Sequence, residues 1–192
     1  MARHFHKELE KIKKMILSLG AMVEERVRRI ATAITERDAD LAQELIRSDF
    51  EIDEMEVEIE EECLKVLALH QPVAVDLRFL IAVIKINNDL ERIGDQAVNI
   101  AERVDVIAKR DLSDFFFDYA SMGEKAEKML KMSLDALVNM DYDLAFKVVM
   151  MDDEVDQIKS EAYDRIKRAM SEHPDKIGYL INLLLIYRHI ER

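Results

Sequence analysis

Apolar residues recur along the chain at intervals of three and four, which is the spacing of an amphipathic α-helix. The first such run has gaps close to a heptad repeat and predicts a helix from about Phe5 to Thr35, packed nearly parallel or antiparallel to its neighbours. Its apolar positions are Phe5, Leu9, Ile12, Ile16, Leu19, Val23, Val27, Ile30 and Ile34. Asp38 follows as an expected helix N-cap.

Two further helices are predicted before residue 109. The segment after Asp38 keeps the helical pattern to about His70, and Pro72 ends it because the residue before a proline disfavours helix. The third helix is predicted from about Val75 to Ala108. Glycine and proline, the residues of tight turns, number 4 and 2 in 192 residues. Many-stranded folds are therefore disfavoured, and the chain is predicted to be all-α.

The same plan recurs in the second half of the chain, at an offset of 103 residues that shortens to 100 near the end. The matched pairs include Asp38 with Asp141, Leu41 with Leu144, Asp49 with Asp152, Asp53 with Asp156, Leu80 with Leu180 and Glu91 with Glu191. The repeat predicts two tandem three-helix bundles, residues 1–108 and 113–192, joined by a short link (residues 109–113) into one body. The second bundle is expected to be truncated at the C-terminus, in its third helix.

Charge and composition narrow the expected partners and location. With 28 basic and 40 acidic residues the formal net charge is −12, which disfavours nucleic acid and anionic lipid and favours basic partners or cations. The longest apolar stretches, residues 80–86 and 179–187, are too short for a transmembrane segment. The N-terminus lacks the apolar core of a signal peptide, and a single cysteine fits a reducing compartment. The expected location is the cytoplasm.

Carboxylates lie in or beside the apolar sectors of the predicted helices rather than on the solvated sides. They are Asp49, Asp53, Glu56 and Glu60 on the second helix, Glu91 and Asp95 on the third, and Asp152, Asp156 and Glu191 in the second unit. Two amides, Asn87 and Asn88, share the apolar sector of the third helix. Two unit charges about 6 Å apart repel by roughly 3 kcal/mol at an effective dielectric of about 20, so these rows need compensation.

The repulsion between these carboxylates can be compensated in three ways. Some acids can protonate, with a raised pKa. A basic partner, or Arg92 and Arg103, can neutralise them. Hard divalent or trivalent cations such as magnesium, manganese or iron can bind, since carboxylate oxygens suit them. The alternative is a wet groove in which the rows face water. The second unit offers fewer carboxylate ligands for a cation, because Lys159 and Tyr163 occupy the positions where the first unit has glutamates.

Other chemistry along the chain is sparse. Cys63 lies on the apolar stripe of its helix and is expected to be a buried, unreactive thiol. The five histidines show no ligand pairing such as H-E-x-x-H, and the sequence holds no glycine-rich phosphate loop. No catalytic or cofactor-binding residue is assigned. The methionines are interpreted mainly as helix packing.

Several segments of the chain resemble the PhoU family. They are Leu19–Met22 (LGAM), Gln71–Arg78 (QPVAVDLR), Asn88–Asp95 (NDLERIGD), Asn99–Glu102 (NIAE) and Tyr187–Arg192 (YRHIER). The likeness covers essentially the whole chain, including its repeat, and the Glu-Arg-Ile-Gly-Asp segment is its most specific part. It implies two related three-helix bundles side by side.

The resemblance also implies a function. PhoU-like proteins are cytoplasmic regulators that act with the phosphate ABC transporter and a sensor histidine kinase, and they repress the phosphate-starvation response when phosphate is plentiful. Members tend to be homodimers. Some carry multinuclear iron or zinc clusters at E(D)-x-x-x-D motifs and others carry no metal. The positions of this chain that match these motifs are Asp49, Asp53, Glu91, Asp95, Asp152, Asp156 and, for half of the fourth motif, Glu191.

The sequence therefore favours a non-enzymatic regulator that binds the transporter's ATPase subunit and the kinase. A metal-free helical scaffold or adaptor is the first alternative. The second is a ferritin-like di-metal oxidase, which needs Glu-x-x-His motifs facing the bundle interior. No Asp or Glu lies three residues before any histidine of this chain, so the oxidase is disfavoured.

Overall fold

The structure, a computed structural model, describes residues 2–109 and 119–192, with side chains from residue 4. These residues form helices and no strand, which confirms the all-α prediction. The helices are α1 (Ala2–Glu36), α2 (Ala39–Arg47), α3 (Phe50–His70), α4 (Ala74–Ala108), α5 (Tyr119–Asn139), α6 (Tyr142–Glu172) and α7 (Ile177–Glu191), with a 3-10 turn at Pro174–Lys176.

Helix α1 carries the predicted apolar seam and runs close to its predicted bounds. Seven of the nine predicted seam positions are buried, while Phe5 and Val27 are half-buried. The seam faces α3, α4 and α5, so α1 contacts both halves of the chain. Gly20 lies where α1 crosses α5, and a Cβ on it would overlap the buried side chain of Leu134.

The second predicted helix is divided in the structure, which corrects the single helix expected from Asp38 to His70. Helix α2 ends at Arg47, Ser48 and Asp49 form a turn, and α3 begins at Phe50. The cause is a side chain from α1: one guanidinium nitrogen of Arg26 donates to the Ser48 carbonyl oxygen at 2.5 Å, and the other donates to Asp49 Oδ1 at 2.5 Å. At the repeat position of Arg26 the second half has Met129, and α6 runs on without a break.

The two halves cap their second helices in the same way. Asp38 accepts a hydrogen bond from the Leu41 backbone N–H at 2.9 Å, and Asp141 accepts one from Leu144 at 2.9 Å. Both caps satisfy a helix N–H that has no partner inside its helix. The predicted N-cap at Asp38 is thus confirmed, and its repeat has the same local structure.

The hydrophobic core does not divide at the repeat boundary. One cluster of buried residues joins the C-terminal part of α1, α2 and the second half of α4 to α5, α6 and α7. Within it, the Tyr119 hydroxyl donates to the Leu183 carbonyl oxygen at 3.1 Å. The other cluster combines α1, α3 and α4 with Leu134 and Leu137 of α5. The predicted boundary between 1–108 and 113–192 falls beside residues 110–118, which lie outside the described residues, and stays a prediction.

Candidate functional site

Helices α3 and α4 lie side by side and bring the carboxylates of the first half together. We call this set the first acidic row: Asp49, Asp53, Glu56, Glu60, Glu91 and Asp95. Glu56 and Glu91 are half-buried, while Asp53 and Asp95 are exposed. Burial raises the pKa of Glu91, and the neighbouring charges of Asp95 and then Asp53 raise it further. Ionisation of Glu91 is therefore disfavoured by its burial and by the acids beside it in the row.

One end of the first acidic row is neutralised by Arg26, which is only 5% exposed. Burial raises the pKa of Asp49, and the Arg26 guanidinium opposes this effect. Arg92 and Arg103, expected to neutralise the row, pair with other acids instead. Arg92 Nη1 lies 3.5 Å from Asp89 Oδ1, and Arg103 Nη2 lies 3.5 Å from Glu102 Oε2. The sequence shows only that Arg26 lies beside the apolar seam of α1, next to Val27, which does not identify its partner.

The middle of the row contains a buried amide. Asn87 of α4 is 0% exposed, and its Nδ2 donates to the Glu56 carbonyl oxygen at 2.8 Å and to Glu56 Oε1 at 3.3 Å. Its Oδ1 is buried without a hydrogen-bond partner. Buried polar atoms are nearly always paired, so this unpaired acceptor is an exception among the described residues. Burial, followed by the charges of Glu60 and Asp53, raises the pKa of Glu56.

The first acidic row offers carboxylate oxygens, the kind of ligand that hard cations prefer. The side chains are spread along two helices, however, and do not form a closed cage. In residues 2–109 and 119–192 no three His, Cys, Asp or Glu side chains converge on one point as placed. The metal ligands predicted in the first half, Asp49, Asp53, Glu91 and Asp95, therefore stay a prediction.

The second acidic row, Asp152, Asp156 and Glu191, has a different arrangement. Asp156 on α6 and Glu191 at the end of α7 share one ammonium: Lys159 Nζ lies 3.3 Å from Asp156 Oδ1 and 2.7 Å from Glu191 Oε1. The hydrogen bond that Lys159 donates to Glu191 is the main reason that the pKa of Lys159 is raised. Asp152 is exposed and lines the rim of an apolar groove between the two halves.

A second feature lies on the outward face of α3. Phe50, Val57 and Leu64 are 56%, 51% and 52% exposed, and we call them the α3 stripe. They follow each other at intervals of seven, so they lie along one line of the helix. Exposed acids border this line, with Glu54 and Glu61 on one side and Asp53 and Glu60 on the other. Sequence periodicity placed the acids beside apolar residues but did not show that Phe50, Val57 and Leu64 are exposed.

Cys63 lies on α3, one turn from Glu60, and is 0% exposed. Burial raises the pKa of its thiol to about 11. A neutral, inaccessible thiol is a poor nucleophile, which supports the prediction of an inert side chain.

Among the described helices, none is long and apolar enough to cross a membrane.

Comparison with known proteins identifies the family. The family model described as "PhoU domain" matches residues 16–104 and 119–192. The chain belongs to the PhoU family. A relative from Clostridium acetobutylicum, named "phosphate-specific transport system accessory protein PhoU homolog", is 34% identical over 98% of this chain and 86% of its own length. Another from Escherichia coli, named "phosphate-specific transport system accessory protein PhoU", is 33% identical over 98% of this chain and 78% of its own length.

Solved structures of the PhoU family share the fold. The crystal structure of PhoU from Pseudomonas aeruginosa superposes with a TM-score of 0.93 at 34% identity, over 97% of this chain and 90% of that one. The phosphate transport system regulatory protein PhoU from Streptococcus pneumoniae gives a TM-score of 0.85 at 28% identity. The resemblance read from the sequence motifs and the predicted helical bundles of this family are thereby confirmed.

Proposed function

We propose that this chain is a regulatory accessory protein of phosphate uptake. It binds the ATPase subunit of a phosphate ABC transporter and a sensor histidine kinase, and it represses the phosphate-starvation response when phosphate is plentiful. The observation that carries this proposal is its family membership, because relatives named as accessory proteins of phosphate-specific transport match it over almost its whole length. We assign it no catalytic role, and we place it in the cytoplasm as a homodimer.

The surface of α3 supports a role in binding. Large apolar side chains that are half exposed along one helix line favour burial against a partner, at roughly 25 cal/mol per Å² of apolar area. The acids beside the α3 stripe select a basic partner and speed its approach, as does the net charge of −12. We therefore expect the ATPase subunit to present a helix or groove with apolar side chains flanked by lysine or arginine.

The first acidic row adds a second proposed property. A hard cation held there would join α3 to α4 and would be structural or regulatory rather than catalytic. The metals expected from the sequence, iron, zinc, magnesium or manganese, remain candidates, and binding to partners does not depend on them in this proposal.

Calorimetric titration of the purified chain with the ATPase subunit and with the kinase's sensory domain tests the proposal. We expect both to bind, and V57K/L64K to weaken binding of the ATPase subunit by about tenfold or more, since it places charge in the apolar line. The matched control is F146K/V149K, which adds the same charge at exposed apolar positions of α6. Binding of neither protein by the wild type would overturn the proposal. Equal losses of affinity in both double variants would show that the α3 stripe is not the binding surface.

A further inference from the structure

We propose that one end of the molecule, where the first turns of α1 meet the turn between α3 and α4, docks on an anionic lipid surface. The turn presents apolar side chains to solvent, and the start of α1 supplies positive charge beside them. The protein would lie on the bilayer and would not span it. This inference goes beyond the proposed function and does not rest on it, since it names a lipid surface and no protein partner.

The start of α1 and the turn between α3 and α4 lie at the same end of the first bundle. The ring of Phe5 in α1 lies 5.1 Å from that of His70, the last residue of α3, centroid to centroid. Lys13 Nζ of α1 lies 5.7 Å from the centroid of the Phe79 ring, so the first turns of α4 are also beside α1. Whatever the turn contacts is therefore also close to the first turns of α1.

The turn exposes large apolar side chains. Leu69, Val73 and Val75 are 66%, 74% and 65% exposed, and we call them the apolar tip. A turn at the end of a helical bundle projects outward, so these side chains can enter the interfacial layer of a bilayer before the rest of the protein reaches it. Entry removes their apolar surface from water, which favours binding.

The corresponding turn of the second half lacks the apolar tip. When the two turns are aligned on their prolines, Val73 corresponds to Asp175 and Ala74 to Lys176. The backbones differ as well: Ala74 has a φ of 51°, a left-handed conformation that costs free energy for a residue with a Cβ, whereas Lys176 has a φ of −107°. Strained backbone of this kind is concentrated at binding sites, and here it occurs at the apolar turn.

The two turns lie at opposite ends of the molecule. Gly20 faces Leu134 and Ala31 faces Gly123, so α5 runs antiparallel to α1. The first residue of α5 donates a hydrogen bond to α7, which places the start of α7 beside the start of α5 and the end of α1. The molecule therefore carries an apolar turn at the start of α1 and a charged turn at its other end.

Positive charge is concentrated at the apolar end. Residues 1–14 hold five lysines or arginines and two glutamates, whereas the whole chain has a net charge of −12. Both glutamates are paired locally: Glu8 contacts His70, and Glu10 Oε1 lies 2.9 Å from Lys13 Nζ. The start of α1 is thus a basic segment of an acidic protein.

The basic side chains at this end are available to lipid phosphates. Lys7, Lys14 and Arg78 are exposed, and none of them forms an ion pair with a described residue. The closest acids are Asp76, two residues before Arg78, and Glu61, which lies eight residues before the tip, about 12 Å along α3. Charges are screened over about 8 Å at physiological salt, so an anionic surface at the tip attracts the lysines more strongly than it repels the acidic rows.

Sedimentation of the full chain with lipid vesicles tests the inference. We expect the wild type to bind vesicles made of equal parts of phosphatidylglycerol and phosphatidylcholine, and not to bind vesicles of phosphatidylcholine alone. Binding is expected to weaken as the salt concentration rises, because the attraction is partly between charges.

The apolar part of the surface is tested by V73D, which copies the charged turn of the second half. We expect it to weaken vesicle binding by about tenfold or more, because it places a carboxylate against anionic lipid. Val73 is the N-cap of α4 and provides no side-chain cap, so aspartate supplies one and the variant stays folded. The control V149D makes the same change at a valine of α6 that is 65% exposed, and it binds like the wild type.

The basic part of the surface is tested by K7E/K14E. We expect this variant to weaken binding to the anionic vesicles by about tenfold or more, because it reverses two charges that face the lipid. The control K147E/K167E reverses two exposed lysines of α6 and is expected to keep the wild-type affinity. Circular dichroism establishes that each variant is folded.

The possible results separate the lipid surface from other partners. Absence of wild-type binding to both kinds of vesicle, equal losses in V73D and V149D, or unchanged binding of K7E/K14E overturns the inference. If vesicles are not bound while V73D loses calorimetric affinity for the ATPase subunit or the kinase, the tip is a protein-docking surface instead. The vesicle assay contains no partner protein, so its failure leaves the proposed function intact.

Discussion

Arg26 shows, at the scale of single residues, how the need for a compensating charge could be foreseen while its source could not. Helical periodicity placed the carboxylates of Asp49 and Glu91 in or beside the apolar sectors of their helices. Their raised pKa values agree with that prediction. The compensating arginine comes from α1, which crosses the turn between α2 and α3. A crossing of two helices distant in sequence depends on tertiary packing, and periodicity along one helix carries no signal for it.

Replacing Arg26 with methionine, the residue at its repeat position, is expected to destabilise the protein by about 1–3 kcal/mol, because it leaves a partly buried carboxylate and a carbonyl without their charged donor. Urea unfolding measures the change. The control R29M breaks the more exposed pair of Arg29 with Glu44 and is expected to cost about 0.5 kcal/mol or less. Equal losses in the two variants would show that Arg26 contributes no more than a surface ion pair.

Glu91 to glutamine is expected to stabilise the metal-free protein by about 0.5 kcal/mol at pH 7, because it removes like-charge repulsion with Asp95 one turn away. Thermal unfolding in chelator-treated buffer measures the effect. The control D89N neutralises an exposed acid that lies 3.5 Å from Arg92, so it is expected to have no stabilising effect. A melting temperature of E91Q below that of the wild type would contradict the repulsion between Glu91 and Asp95.

The burial of Cys63 is expected to make the free energy of unfolding depend on pH. Burial raises the pKa of its thiol in the folded protein to about 11 from an ordinary value of 9.0, so the unfolded chain loses the proton first. Stability is therefore retained below pH 9 and falls as the pH rises toward 11, by up to about 1.4 kcal/mol per pH unit from this group. The difference between wild type and C63A in urea unfolding at several pH values isolates the effect. A pH-independent difference would contradict it.

At the scale of helices, periodicity predicted most of the structure. The bounds of α1 and α4 differ from the predicted ones by a few residues at most. The division of α2 from α3 was missed, because Ser48 and Asp49 are compatible with a continuous helix and the break comes from Arg26. Close approach of helices also depends on residues outside the apolar pattern, and Gly20 is such a position.

Gly20 to leucine is expected to destabilise the protein by about 1–3 kcal/mol, because the side chain overlaps buried Leu134 and separates α1 from α5. The control A21L introduces the same side chain one residue later on the exposed side of α1. Urea unfolding of both variants compares them directly. A G20L protein as stable as A21L would mean that α1 and α5 accommodate the extra volume.

At the scale of the whole molecule, the repeat predicted two similar units, and the structure shows how they differ. The halves share local features such as the Asp38 and Asp141 caps, and they share one core cluster. They differ where the first half has Arg26, Glu56 and Asn87. Repeat alignment identified Lys159 as a departure, but its contact with both Asp156 and Glu191 required the packing of α7 against α6.

The regulatory role is tested most directly in the cell that makes this protein. The account predicts that deletion of its gene releases a phosphate-starvation reporter, such as secreted phosphatase activity, in phosphate-rich medium, and that the wild-type gene restores repression. The V57K/L64K variant is expected to restore it poorly at equal protein level, and F146K/V149K to restore it fully. A reporter that stays repressed after deletion would contradict the account.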